Sequence, residues 1–173
     1  MKKIYLLIIS AFLFVIIFIL FSSLKIDKVY DTKNLIGKPI PELDLSLLNE
    51  EKKFNTKAVS KNNFTLINFF ASWCAPCRKE HKYLIELKNN ENLKIIGINF
   101  KDEKIKANEF LQKLGNPYHL ILSDRSGKES INFGVYGIPE TILVNQDLII
   151  LKKYIGPLDK TDVKEIIELT KVK

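Results

Sequence analysis

The feature that most constrains this chain is Trp73-Cys74-Ala75-Pro76-Cys77, placed where an apolar stretch gives way to a mixed, helix-like pattern. These are the only two cysteines among 173 residues. A pair so close in sequence closes too small a loop to restrain the unfolded chain, so it adds little as a staple. It suits a dithiol that cycles to a disulfide and back. Upstream, Phe64 to Phe70 is apolar apart from Thr65 and Asn68, which fits a buried strand. Downstream, Tyr83, Leu84 and Leu87 share a helical face, with Lys79, Glu80, Lys82 and Glu86 mainly elsewhere. The cysteines therefore fall at a strand-to-helix junction.

The N-terminus sets the compartment. After Lys2 and Lys3, the run from Ile4 to Phe21 is almost wholly Ile, Leu, Phe and Val. Its length approaches the ~20 residues that cross the hydrocarbon core as a helix. A signal peptide has a shorter apolar region, about 7–15 residues, and a small-residue cleavage site. Phe21-Ser22-Ser23-Leu24 is a poor site of that kind. An uncleaved anchor is the favoured reading, with a cleaved signal as the alternative. The two lysines keep the N-terminus cytoplasmic and send the rest outward. The expected organisation is an anchor over residues 1–22, a polar tether over 23–36 and one domain over 37–173. The expected location is the inner membrane, single-pass, with the domain facing the periplasm.

The formal charge of +7 invites a nucleic-acid reading. Basic and acidic residues alternate, however, as in Lys101-Asp102-Glu103-Lys104, and no basic block forms. No nucleic-acid partner is expected. Beyond the first strand and helix, Leu93–Phe100 reads as a second buried strand and Lys104–Leu114 as a helix with Ile105, Phe110, Leu111 and Leu114 apolar. Gly115-Asn116-Pro117 stops that helix. His119–Leu122 reads as a short strand, followed by a turn at residues 124–127. Thr141–Val144 and Leu148–Tyr154 suit a hairpin, and Asp159–Val172 a closing helix with Val163, Ile166, Ile167 and Leu169 apolar. Residues up to Asn63 read as loosely structured after the irregular lead-in Gly37-Lys38-Pro39-Ile40-Pro41.

That order, with WCAPC at the first strand-to-helix junction and a proline opening the hairpin, resembles the thioredoxin fold: α/β, a central mixed sheet flanked by helices. Residues 134–141, Gly-Val-Tyr-Gly-Ile-Pro-Glu-Thr, narrow the match. Together with Gly37-Lys38-Pro39, residues 77–81 and Leu114-Gly115-Asn116-Pro117-Tyr118, they resemble the DsbE/CcmG thiol:disulfide interchange proteins along essentially the whole chain. The resemblance implies a membrane-anchored periplasmic protein of cytochrome c biogenesis. Such proteins keep the haem-site CxxCH cysteines of apocytochrome c reduced, directly or through a maturation partner. Electrons come from a transmembrane reductase of the DsbD or CcdA type. No cofactor is implied beyond the redox-active disulfide.

At a helix start, Cys74 faces free N–H groups and the positive end of the helix dipole, which favours its thiolate. Cys74 is the expected nucleophile and Cys77 the resolving thiol. Pro76 sits in the first turn, where its missing N–H does no harm. The resemblance implies a cis bond at Ile138–Pro139, with the Ile138 backbone presented to an extended substrate. Trp73 offers a flat apolar face beside the sulfurs, and Tyr136 borders the expected groove. Asn68 departs from ordinary thioredoxins, which place a buried aspartate there. Glu80 is the expected substitute acid for Cys77, with Glu140 second; a solvated helix glutamate is the competing reading of Glu80.

His81 completes a C-x2-C-x3-H run, but neither structural zinc spacing nor a second cysteine pair is present. A surface helix histidine is the expectation, and no metal. Arg78 after Cys77 excludes haem attachment through CxxCH. A general periplasmic reductase or oxidant, and a copper or haem-delivery chaperone, remain as competing functions.

Overall fold

The computed structural model describes residues 2–24 and 35–171, in two units, Met1–Asp31 and Thr32–Lys173. The expected tether lies for the most part outside the described residues, as does Val172. In the first unit, Lys2–Leu24 forms one helix, α1. Its side chains from Ile4 to Phe21 are exposed and, Ser10 apart, apolar. The segment Lys3–Ser22 is long and apolar enough to cross a membrane.

The second unit is a sheet with a core on each face. Its strands are β1 (Ser46–Leu47), β2 (Phe64–Phe70), β3 (Leu93–Phe100), β4 (Leu120–Asp124), β5 (Glu140–Asn145) and β6 (Ile150–Ile155). They lie in the order β1-β4-β3-β2-β5-β6. The run β2, β3, β4 is parallel, whereas β1, β5 and β6 pair antiparallel with their neighbours. The helices are α2 (Ala75–Leu87), α3 (Lys104–Leu114), α4 (Lys128–Asn132) and α5 (Lys160–Leu169). The central strand β2 is buried on both faces, which is why its sequence runs apolar without alternation.

Alternation along β2 sorts the two cores. Leu66 and Phe70 join Leu84 and Leu87 of α2, Phe110 and Leu111 of α3, Val163 and Ile166 of α5, and both cysteines. Ile67 and Phe69 face the other way, against Leu43, Val59, Phe133 and Val135. Asn68 therefore projects from mid-strand into the core that holds the cysteines, and is fully buried there.

Several expectations need correction. The stretch before Asn63 is not loose: β1 pairs with β4, and Thr56–Lys61 forms a 3-10 helix capped by the Asn55 side chain. Both are too short to show a period. The five-residue α4 also went unread; buried Asp124 secures it by accepting from Gly127 N, Ser130 N and Ser130 Oγ. In α3 the buried positions are Ala107, Phe110 and Leu111, while Ile105 is 71% exposed. Leu148 lies in the hairpin turn with φ +64°, so β6 starts at Ile150. Asn145 Oδ1 builds that turn by accepting from Asp147 N and Ile149 N. In α2, Glu80 and His81 belong to the buried stripe with Cys77, Leu84 and Leu87.

Close aromatic packing lies beside Asn68. Phe70 stacks on Tyr118 with ring centroids 4.7 Å apart. A Cβ at Gly97 would come within 2.9 Å of both rings. Gly97→Ala should therefore destabilise the domain by about 1–3 kcal/mol, the usual cost of overpacking a filled core. Urea unfolding of the full chain in detergent measures it, and an unchanged midpoint would contradict this packing.

Candidate active site

Where β2 ends, Ala71-Ser72-Trp73 turns the chain so that Cys74 becomes the N-cap of α2. Cys74 and Cys77 are joined in a disulfide. Cys74 Sγ also accepts from Cys77 N at 3.1 Å, the capping contact that an oxygen usually makes at this position. Pro76 stands in the first turn, where no intrahelical donor is lost. Both cysteines are nearly buried, while Trp73 beside them is 58% exposed.

Asp102, just after β3, braces this turn. Its carboxylate accepts from Ser72 N at 2.6 Å, Ser72 Oγ at 2.8 Å, Asn99 Nδ2 at 2.9 Å and Glu103 N at 2.8 Å. Burial alone would raise the Asp102 pKa. The donors, led by Ser72 N–H, hold it below the usual carboxylate value. Trp73 Nε1 donates to Lys101 O at 3.0 Å, and Arg78 Nη2 to Ser72 O at 2.9 Å. Nothing in the sequence around Asp102 distinguished it from the neighbouring surface charges.

Opposite the disulfide lies the segment from Gly134 to Glu140. Its Ile138–Pro139 bond is cis, as the resemblance implies. The Ile138 carbonyl oxygen is 3.7 Å from Cys74 Sγ. Tyr136 is 66% exposed at the rim. Glu140 is buried and faces away from the cysteine core. Its Oε1 accepts from Tyr136 N at 3.1 Å and Gly137 N at 3.3 Å, and its Oε2 lies 2.8 Å from Lys153 Nζ. Glu140 thus organises the segment and does not approach Cys77 from that side of the sheet.

Behind Cys77, one helical turn further along α2, Glu80 is buried. A solvated role is excluded. Its Oε1 accepts from Asn68 Nδ2 at 2.8 Å and its Oε2 from Leu158 N at 2.8 Å. The same Asn68 amide donates to Thr141 Oγ1 at 2.9 Å, and Tyr118 OH donates to Asn68 Oδ1 at 2.8 Å. Burial pushes the Glu80 carboxyl up to about 7; the Leu158 N–H and Asn68 amide oppose that rise, and Asp162 adds to it. Tyr118 is pushed well above its ordinary value, by burial first and then by Glu80, so it remains a donor. Tyr118 and Thr141 were missed as partners of this site, although both fall in the blocks that carry the family resemblance.

His81 also corrects an expectation: it is buried, not on the surface. Its ring Nε2 bonds the Gly115 carbonyl at 2.8 Å, and it packs edge-on to Phe110. Burial lowers its pKa below the ordinary histidine value, against the Gly115 carbonyl and with the help of Arg78. It ties α2 to the end of α3. Among the described residues, no group of three or more His, Cys, Asp or Glu side chains could hold a metal ion.

Known proteins resemble this chain in sequence and in fold. Residues 35–169 match the Redoxin family. Thiol:disulfide interchange protein CycY of Rhizobium leguminosarum bv. viciae is 50% identical over 110 residues, 64% of this chain and 59% of that protein. Thiol:disulfide interchange protein DsbE of Allochromatium vinosum is 37% identical over 141 residues, covering 82% of this chain and 78% of the relative. The thioredoxin domain of a thiol-disulfide oxidoreductase from Bacteroides vulgatus superposes with a TM-score of 0.67 at 16% identity, over 79% of this chain and 98% of the other. With a helix-capping disulfide on a thioredoxin-like sheet and a buried acid behind it, this chain is a thiol-disulfide oxidoreductase that belongs to the DsbE family of thiol:disulfide interchange proteins.

Proposed function

We propose that this protein is held in the inner membrane by residues 1–22, with residues 23–36 as a tether. Its domain, 37–173, works in the periplasm during cytochrome c biogenesis. There it reduces the disulfide between the haem-site cysteines of apocytochrome c, directly or through a maturation partner. A transmembrane reductase of the DsbD or CcdA type restores its dithiol. The observation that carries the reading is the Cys74–Cys77 disulfide at the start of α2, with buried Glu80 one turn beyond Cys77. The GVYGIPET segment and the DsbE relatives support the choice of pathway.

In the reducing direction, the Cys74 thiolate attacks one sulfur of the substrate disulfide. A mixed disulfide forms, and the substrate's other sulfur leaves as a thiolate. The first turn of α2 stabilises the attacking anion through its free N–H groups. Cys77 then gives its proton to Glu80 and attacks Cys74 Sγ. The second substrate thiolate is released and the Cys74–Cys77 disulfide re-forms, so two electrons have passed to the substrate. Glu80 suits this step because its proton affinity is poised near neutrality. Trp73, Tyr136 and Ile138 line the docking surface, with Pro139 setting the Ile138 backbone and Pro76 the helix start.

Two measurements follow. Glu80→Gln should slow resolution of the mixed disulfide at least about tenfold at pH 7 by removing the proton acceptor, and should lower the apparent pKa of Cys77 by removing a neighbouring negative charge. Titration of both thiols by alkylation rate checks it; unchanged pKa values would remove Glu80 from the mechanism. Burial of this carboxyl also predicts a pH slope in stability. Between about pH 4.5 and 7 the unfolded chain ionises Glu80 while the folded chain does not, so stability falls as pH rises, by roughly 3 kcal/mol in all. Denaturant unfolding of the oxidised protein should show that slope, and Glu80→Gln should flatten it.

The function itself is tested with Cys77→Ser in the native membrane, where the stalled Cys74 mixed disulfide holds its partner. Apocytochromes or their maturation proteins among the trapped species would support the proposal. A broad set of exported proteins would replace it with a general thiol oxidoreductase. An empty trap would remove disulfide exchange and turn attention to metal binding.

A further inference from the structure

The geometry points to Lys153 as a positioning residue that sets where the substrate backbone lies against Cys74. The inference rests on the thiol-disulfide reading above and concerns how the substrate is seated.

Lys153 comes from β6, on the face of the sheet away from the disulfide core. Its side chain is fully buried, which a lysine tolerates only with close partners. Both partners lie in the segment that faces the disulfide. Lys153 Nζ donates to Gly134 O at 2.6 Å and lies 2.8 Å from Glu140 Oε2. Those two residues are the first and last of the segment carrying Tyr136, Ile138 and Pro139. Between them, Glu140 Oε1 takes the N–H groups of Tyr136 and Gly137. One ammonium and one carboxylate therefore fix both ends and the middle of this segment.

The Ile138 carbonyl, 3.7 Å from Cys74 Sγ, is left facing the sulfur. An extended substrate pairing along Ile138 would take its register from this segment, and exchange requires its sulfur in line with Cys74. A displacement of about 1 Å is enough to cost orders of magnitude in such a step. Lys153 Nζ is bonded to Gly134 and Glu140, neither of which belongs to the Glu80 network, so it can act on seating without altering thiol chemistry.

The test compares two disulfides reduced by the full chain in detergent micelles. One is an oxidised CxxCH peptide, which can pair along Ile138; the other is a small aromatic disulfide, which cannot. Lys153→Met should lower the second-order rate constant for the peptide about tenfold or more and leave that for the small disulfide within about twofold. Because Lys153→Met leaves a buried carboxylate unpaired, Lys153→Met combined with Glu140→Gln serves as the folded control. It removes both charges and keeps a side-chain carbonyl for the Tyr136 and Gly137 N–H groups, yet still loses the tie to Gly134. The same selective loss is expected of it. Lys153→Arg should restore the peptide rate, since its planar fork can reach both acceptors. Equal loss on both disulfides, or an unchanged peptide rate in the double variant, would overturn the proposal. Failure of the substrate reading looks different: the wild-type protein would then reduce the small disulfide but not the peptide.

Discussion

The domain depends on one buried carboxyl. Glu80 draws donors from Asn68 in β2 and from the Leu158 N–H just ahead of α5, while Asn68 is itself held by Tyr118 and Thr141. A single polar cluster thus joins β2, α2, β5, the approach to β4 and the approach to α5. Its hydrogen-bond donors are neutral: a side-chain amide, a backbone N–H and a phenol hydroxyl. An ion pair would lock the carboxylate in its charged form, whereas neutral donors in a buried site leave proton affinity near 7. That is the property required of a group that accepts a proton from one thiol and later returns it. Asparagine at position 68 fits this logic. An aspartate there would put a second carboxyl within 2.8 Å of the first and force the pair to share one charge.

Two further carboxylates hold the walls of the site. Asp102 fixes the turn that delivers Cys74, through four short hydrogen bonds. Glu140, with Lys153, fixes the segment that carries Ile138 and Pro139. The three acids occupy different environments and do different work. Asp102 is held ionised by its donors and Glu140 is paired with a buried cation. Only Glu80 is poised to exchange its proton. Preorganisation of both walls on the sheet leaves Trp73 and Tyr136 as the exposed surface a partner would meet first.

Much of this was legible in the sequence. The strand-to-helix junction at WCAPC, the central strands and the closing hairpin followed from apolar patterning, and the cis bond at Pro139 from the family blocks. Patterning failed where a polar residue is buried for a reason supplied from far along the chain. His81 looked like a solvent-facing helix residue, and for Glu80 that reading competed with its role as the acid for Cys77, because their partners, Asn68, Leu158 and Gly115, come from other elements. Tyr118 reaches Asn68 across fifty positions, and Lys153 reaches Gly134 across nineteen. No local period records such contacts. Ile105 failed in the opposite sense, an apolar residue at helical spacing that the fold leaves exposed. Elements as short as β1 and α4 carry no period, and are set by the neighbours that cap or pair with them.

The claim on which the account turns is that Glu80 exchanges its proton near neutral pH inside the folded, oxidised protein. Isotope-edited infrared titration of the glutamate carboxyls, with Glu80→Gln to assign the signal, measures this directly. The account predicts a protonated Glu80 carbonyl band that persists at pH 5 and disappears with a midpoint near 7. A Glu80 already ionised at pH 5, or one still protonated at pH 9, would contradict it.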